Sequence, residues 1–274
     1  MQKFSSLNQL LKHYSEDLSK APAVNARNSK QKERIFQSFQ IEDPTRINIT
    51  IPERKFNTSY GIAEWLWYLS ANKSANNIGK LAKIWEMISD QHGEVESNYG
   101  TYLISQWNWI KEEIKKDTDT RRATVVINQI HHKYQNLKDY PCTHYIQFFV
   151  RDNKLHLGVN MRSNDLIFGL CNDVFTFCLF QQMMLNELNA AGFDLELGSY
   201  FHHAGSLHVY ERHFEMIESI KNSNFPVDIS SETCKLNSEV SWELMSANFP
   251  FPETDVEKSE IYDYVSKVSK EIMV

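Results

Sequence analysis

Apolar residues recur at helical spacing from the start of the chain. Phe4, Leu7, Leu10, Leu11 and Tyr14 line one face of a helix predicted over 4–19. The next stretch, 20–33, is polar and basic and reads as a loop. From 34 to 52 apolar and polar residues alternate, the period of strands, with Pro52 as the stop. An aromatic helix is predicted over 58–71, carrying Glu64, Trp65, Trp67 and Tyr68. A second follows over 76–90 and a third over 101–115, with Trp107 and Trp109. The β-branched run 123–130 reads as a buried strand. Strands over 145–150 and 155–161 are joined by Arg151-Asp152-Asn153-Lys154, a hairpin turn. Residues 172–191 form a long apolar helix, central to the core, and 207–210 a further strand. The end of the chain, from Asp263, reads as an amphipathic helix. The pattern contains no repeat and predicts an α+β fold in a single domain over residues 1–274.

Composition narrows the class. Hydrophobic residues make up 42% of 274, enough for a sizeable core. A net charge of −6 argues against a broad nucleic-acid-binding surface, though local arginines can hold one phosphate. No stretch of about 18 apolar residues is read from the sequence, and Met1-Gln2-Lys3-Phe4 begins no apolar signal core, so a cytoplasmic protein without a membrane span is expected. Cys142, Cys171, Cys178 and Cys234 have no Cys-x-x-Cys spacing and read as reduced thiols. His202, His203, His208 and His213 fit no standard zinc spacing, so no metal is expected.

Three short runs carry the candidate chemistry. Cys142 lies in Tyr140-Pro141-Cys142-Thr143-His144, Arg162-Ser163-Asn164-Asp165 follows twenty residues after it, and Asp173 lies 31 residues after it. They offer a thiol, a cation–hydroxyl pair suited to phosphate, and a carboxylate able to read a ligand. A thiol attacks as thiolate, which a neighbouring guanidinium favours. By itself such a cysteine is equally a buried structural one. Glu64 lies on an apolar helix, where burying a carboxylate is costly unless it is partnered. His208 and Tyr210 alternate on a strand and share a face.

Together these runs resemble the thymidylate synthases and pyrimidine nucleotide hydroxymethylases. The likeness is carried by Pro141-Cys142 before Gln147-Phe148-Phe149-Val150, by Arg162-Ser163-Asn164-Asp165, and by Gly205-Ser206-Leu207-His208-Val209-Tyr210. It extends upstream through Arg121-Arg122, Ser97-Asn98-Tyr99-Gly100, Ile84-Trp85 and Glu64-Trp65-Leu66-Trp67, covering about 25–215. The resemblance implies the family's mixed sheet with a long central helix, and a homodimer with the active site shared between subunits. It implies Cys142 as the nucleophile that adds to carbon 6 of a pyrimidine ring, with Glu64 and Tyr99 in proton transfer. Arg27, Arg121, Arg122, Arg162 and Ser163 would hold the phosphate of a nucleoside monophosphate, the Arg121–Arg122 pair coming from the neighbouring subunit. Arg27 departs from the pattern, because Asn28-Ser29-Lys30-Gln31-Lys32 replaces the Thr-Gly-Thr-type loop usual after it. His208 and Tyr210 would bind the sugar. Trp85 and Asp165 would hold the co-substrate 5,10-methylenetetrahydrofolate.

Asp173 stands where thymidylate synthases carry asparagine. An amide matches the carbonyl and N–H of uracil, whereas a carboxyl can accept from the amino group of cytosine and, when protonated, donate to its ring nitrogen. The cytidylate hydroxymethylases of the family carry this aspartate. The end of the chain lacks the tail motif that closes over the folate in thymidylate synthases, and Ile88 takes the place of their second tryptophan. Both departures favour water over hydride as the group that completes the transfer. The expected function is folate-dependent 5-hydroxymethylation of dCMP or CMP. The alternatives are a thymidylate synthase acting on dUMP and an inactive nucleotide- or RNA-binding relative.

Overall fold

The computed structural model describes residues 1–26, 29–135 and 137–274. Its framework is one mixed eight-stranded sheet. The strands are β1 (Gln2–Phe4), β2 (Ala23–Ala26), β3 (Ser29–Ile41), β4 (Thr124–Val126), β5 (Thr143–Arg151), β6 (Lys154–Met161), β7 (Asn164–Asp165) and β8 (Glu196–Tyr210). Across the sheet the order is β1-β3-β8-β6-β5-β4, with β2 paired to β3 and β7 to β8. The β1–β3, β6–β8 and β7–β8 pairs are parallel and the others antiparallel.

The helices are α1 (Leu7–Ser19), α2 (Thr58–Leu69), α3 (Asn76–Leu81), α4 (Ile84–Ile88), α5 (Gly100–Lys116), α6 (Cys171–Ala190), α7 (Phe214–Asn222), α8 (Trp242–Asn248) and α9 (Lys258–Ile272). The alternation in β5 shows how sheet and helices meet: Ile146, Phe148 and Val150 are buried, while Tyr145 is 40% exposed on the opposite face. The twenty-residue α6 is buried along most of its length and packs against α2, α5 and the sheet. A single π-turn, Leu166–Leu170, leads into it. Contrary to the sequence expectation, the segment Leu166–Ala190 is long and apolar enough to cross a membrane by length and composition. Some 78% of its most apolar window is buried inside the fold, so it serves as the core helix.

Several expected boundaries move. The polar run 20–33 holds β2 and the start of β3, because backbone pairing to β8 makes a strand of residues with weak intrinsic preference. Regular structure in the 34–52 stretch ends at Ile41, and Pro52 opens a 3-10 turn. The helix expected over 76–90 breaks at Ala82, which is extended, so two short helices result. The strand expected over 123–130 keeps only the three residues of β4. In contrast, β8 begins eleven residues before Leu207. No element is predicted over 196–206, and Gly205 is demanded by the sheet: a Cβ there would lie 2.9 Å from the carbonyl oxygen of Arg162. At the hairpin between β5 and β6, Asp152 and Asn153 both take positive φ (51° and 59°), as a two-residue type I′ turn requires.

Candidate active site

Cys142 is half-buried at the point where the chain enters β5. The register shifts between Thr143 and Tyr145, a bulge at His144 that re-aims the chain beside the thiol. Arg162, at the end of β6, is bound to this turn. Its backbone N–H donates to the Cys142 carbonyl at 2.9 Å. Its guanidinium donates to the carbonyls of Tyr140 (2.7 Å) and Pro141 (3.2 Å) and stacks on the Tyr140 ring at 5.1 Å. The cation is thereby fixed to the two residues preceding the thiol. Ser163 is half-buried next to it.

Glu64 approaches from α2. Its carboxyl is buried, 4% exposed, and accepts from the Tyr60 hydroxyl at 2.9 Å. That hydroxyl accepts in turn from the Trp85 indole N–H at 3.0 Å. Burial and the nearby Asp173 push Glu64 up to about 8, against the lowering effect of the Tyr60 hydrogen bond. Tyr99 stacks between Tyr68 (5.4 Å) and Phe177 (6.0 Å). It can do so because Gly100 follows: a Cβ there would overlap the Tyr68 carbonyl oxygen at 1.5 Å. Burial raises the Tyr99 phenol well above its ordinary value, and the charges of Cys142 and Asp173 act in the same direction.

Asp173 lies in the first turn of α6 and receives the Asn164 amide on Oδ2 at 2.7 Å. Burial pushes it up to about 7; the Asn164 bond opposes that rise and Asp165 adds to it. Asp165 caps the π-turn by accepting from Phe168 N–H at 2.8 Å with Oδ2. Its Oδ1 is buried with no partner among the described residues. Asp165 and His208 are register partners across β7 and β8, and the His208 and Tyr210 rings stand 5.0 Å apart on one face of β8. Trp85 is 8% exposed and lies against Trp67 at 4.9 Å.

Glu64, Trp85, Asp165 and Asp173 are thus supplied by α2, α4, β7 and α6, while Cys142 just precedes β5, Arg162 just follows β6 and Tyr99 caps α5. Arg121 and Arg122 do not join them within one chain. Both are exposed where the chain enters β4. Ala123 bonds opposite Phe148, so Arg122 is level with the far part of β5, roughly 20 Å from Cys142 at about 3.3 Å per residue. Arg27 lies outside the described residues. Tyr60 and Asn164 were not singled out by sequence. Tyr60 could have been found as the residue one helical turn before Glu64; no local pattern announces the Asn164–Asp173 bond.

A second polar cluster mimics a metal site. Glu96, His131 and His132 bring potential ligand atoms within 4.8 Å of one another. Hydrogen bonding argues against a cation there. The Gln129 N–H donates to His132 Nδ1 at 3.0 Å, which leaves the ring proton on Nε2, facing Tyr102 at 2.9 Å. Tyr102 donates to Glu96 at 2.6 Å, and Lys73 pairs with the same carboxylate at 2.7 Å. An adjoining hollow of about 550 Å³ is lined by Glu96 together with Asp90, Glu94, Asp139 and Lys138, so carboxylates outnumber cations there among the described residues.

The fold has known counterparts. A thermostable thymidylate synthase A from Bacillus subtilis superposes with a TM-score of 0.66 over 86% of this chain and 90% of that one, at 20% identity. The thymidylate synthase family model matches residues 9–268, and the chain belongs to that family, whose members are one-carbon transferases using methylenetetrahydrofolate as co-substrate. The deoxycytidylate 5-hydroxymethyltransferase of Enterobacteria phage T4 is 32% identical over 174 residues, 59% of this chain and 71% of its own. A thymidylate synthase from Fusobacterium nucleatum is 29% identical over 221 residues, 77% of this chain and 73% of its own.

Proposed function

We propose that this chain transfers a hydroxymethyl group from 5,10-methylenetetrahydrofolate to carbon 5 of a cytidine monophosphate, dCMP or CMP. The observation that carries the reading is Asp173: a buried carboxyl held by an amide donor and pushed up to about 7, so that near neutral pH it both donates and accepts. Cytosine offers a ring-nitrogen acceptor beside an amino donor, and a singly protonated carboxyl satisfies both. The cytosine amino group also donates to the ionised carboxylate, whereas uracil pairs with the protonated form alone and its carbonyl faces an acceptor once the proton leaves, a mismatch of about 1–3 kcal/mol.

The remaining residues fit the same reaction. The Cys142 thiolate, favoured by the Arg162 guanidinium, adds to carbon 6 and makes carbon 5 nucleophilic. Carbon 5 takes the one-carbon unit that the folate supplies. Loss of the carbon 5 proton with cleavage of the methylene–nitrogen bond releases tetrahydrofolate and leaves an exocyclic methylene on the ring. Water adds its oxygen to that carbon as the thiolate is eliminated from carbon 6, which restores the ring. Glu64, held near 8, gives and takes protons close to neutral pH, with Tyr99 beside it. Asp165 Oδ1, a buried acceptor with no partner among the described residues, suits a pterin N–H, and Trp85 offers an apolar wall. Arg162 and Ser163 would hold the phosphate on this chain and Arg27 would close over it. His208 and Tyr210 would face the sugar. Arg121 and Arg122, exposed and remote from Cys142, would complete the phosphate site of a partner subunit in a homodimer.

The test is tritium release from carbon 5 of dCMP, CMP and dUMP, each with methylenetetrahydrofolate, and the mass of the product. A cytidylate should react faster than dUMP and gain a hydroxymethyl group. Equal or faster reaction of dUMP would overturn the cytidylate reading in favour of a thymidylate synthase, and a methyl product would refute the hydroxymethyl transfer whichever base reacts.

A further inference from the structure

A relay of fixed direction ends on Glu64. The indole N–H of Trp85 can only donate, so the Tyr60 oxygen accepts it at 3.0 Å. Tyr60 has one proton left to give, and the acceptor in reach is Glu64 Oε1 at 2.9 Å. Oε1 is therefore occupied as an acceptor, and a neutral Glu64 carries its proton on Oε2. Tyr60 and Glu64 are four residues apart on α2, so the helix holds the pair on one face, while Trp85 reaches them from α4.

We infer that Tyr60 is a positioning residue that makes proton transfer by Glu64 one-sided: its hydroxyl, locked in direction by Trp85, keeps Oε1 an acceptor and leaves Oε2 to exchange the proton at the site. The inference rests on the reading of Glu64 as the proton-transfer group. It also couples that carboxyl to the indole expected to pack on the folate, so contact at Trp85 bears on Glu64 through two hydrogen bonds. The titratable neighbours that face Glu64 are few. Asp173 acts on it from α6, and Tyr60 and Tyr68 from α2 itself, with Tyr99 stacked on Tyr68. Burial raises all three tyrosines, Tyr60 included, well above their ordinary values, so only Asp173 shares the pH range of Glu64.

The test is the titration of Glu64 itself, followed by NMR in protein labelled with 13C at the glutamate carboxyl, with Glu64→Gln identifying the signal. Tyr60→Phe keeps the ring and removes one donor to the charged form. It should raise the Glu64 midpoint by about one unit. Trp85→Phe, which lets the Tyr60 hydroxyl turn away, should raise it less, and the double variant should match Tyr60→Phe because the two act through one relay. In turnover, Tyr60→Phe should move the limb of the pH profile governed by Glu64 in the same direction, lowering kcat with little change in KM. A Glu64 midpoint unchanged by Tyr60→Phe, or strictly additive shifts in the double variant, overturns the inference. Lack of wild-type activity on any pyrimidine nucleotide would instead refute the proposed function, and the titration would still decide the relay.

Discussion

Two carboxylates in this molecule end the same kind of hydrogen-bond chain and behave oppositely. Glu64 receives Tyr60, which receives the Trp85 N–H; Glu96 receives Tyr102, which receives the His132 N–H. Burial raises both carboxyls. Glu96, however, also meets the Lys73 ammonium and is held below the usual carboxylate range. Glu64 faces a second carboxyl, Asp173, and sits near 8. The neutral hydrogen bond is common to both centres, so the deeper burial of Glu64 and the opposite sign of the neighbouring charge decide the outcome. The compensated centre holds the fold in place. The uncompensated one retains a proton at neutral pH and faces Asp173, whose charge also acts on Tyr99, as expected of a site that moves protons.

The largest predicted effect comes from removing the nucleophile beside the uncompensated centre. Cys142→Ser should lower turnover by roughly four orders of magnitude or more while nucleotide binding persists, since a hydroxyl is far less nucleophilic than a thiolate and Arg162 remains. Single-turnover kinetics and calorimetric titration with dCMP check both halves. Near wild-type turnover in the serine variant would remove Cys142 from the mechanism. A related prediction tests the distant arginines. Arg122→Glu alone should abolish most activity, yet a heterodimer of Arg122→Glu and Cys142→Ser subunits should recover some, because one hybrid site keeps both residues. No recovery from a verified heterodimer would refute the shared site.

A smaller effect is expected at the base. Asp173→Asn should shift preference from cytosine toward uracil nucleotides by about 10- to 100-fold in kcat/KM, from the cost of one unpaired buried group. The same variant sharpens the electrostatic contrast. A carboxyl raised to about 7 in the native state binds its proton more tightly than in the unfolded chain. Wild-type stability should therefore fall as pH rises from about 4 to above 7. Asp173→Asn has no such proton to lose, so its Tm should gain on that of the wild type across this window. Parallel Tm curves would mean that Asp173 is ionised at all these pH values, and the base-reading role would need another proton source.

How much of this was legible in the sequence varies by region. Helical periodicity located α2, α5 and α6 to within two residues and α1 except at its start, where Phe4 belongs to β1 and the helix begins at Leu7; Asp152-Asn153 marked its hairpin, because these signals are local. Most of β8 was missed: its strand character comes from pairing with β3, β6 and β7 on its two sides, and Gly205 is required by the close Arg162 carbonyl. At the site, residue identities were readable as a family pattern and their protonation was not. Nothing local in the sequence says that Glu64 faces Asp173 while Glu96 faces Lys73. Likewise, the remoteness of Arg121 and Arg122 from Cys142 follows from strand register alone.

The smallest effect belongs to the compensated centre, and it is the control for the whole comparison. Tyr102→Phe removes the donor to Glu96 at 2.6 Å and strands the His132 N–H, but Lys73 still neutralises the carboxylate. The expected cost is about 1 kcal/mol, below the usual value for a bond to a charged group because the pair is partly open to water, or roughly 2–4 °C in Tm. Turnover should stay within about twofold, in contrast to Tyr60→Phe at the other centre. The pH dependence should also be opposite to that of Asp173→Asn. Glu96 is lowered in the folded state, so its contribution is present above the ordinary carboxylate range and is lost as pH falls through its folded value. The Tm gap between wild type and Tyr102→Phe should therefore close in acid and stay constant from neutral pH upward. A gap that widens in acid, or a large loss of turnover at neutral pH, would show that the two centres are not separable into one that holds the fold and one that moves protons.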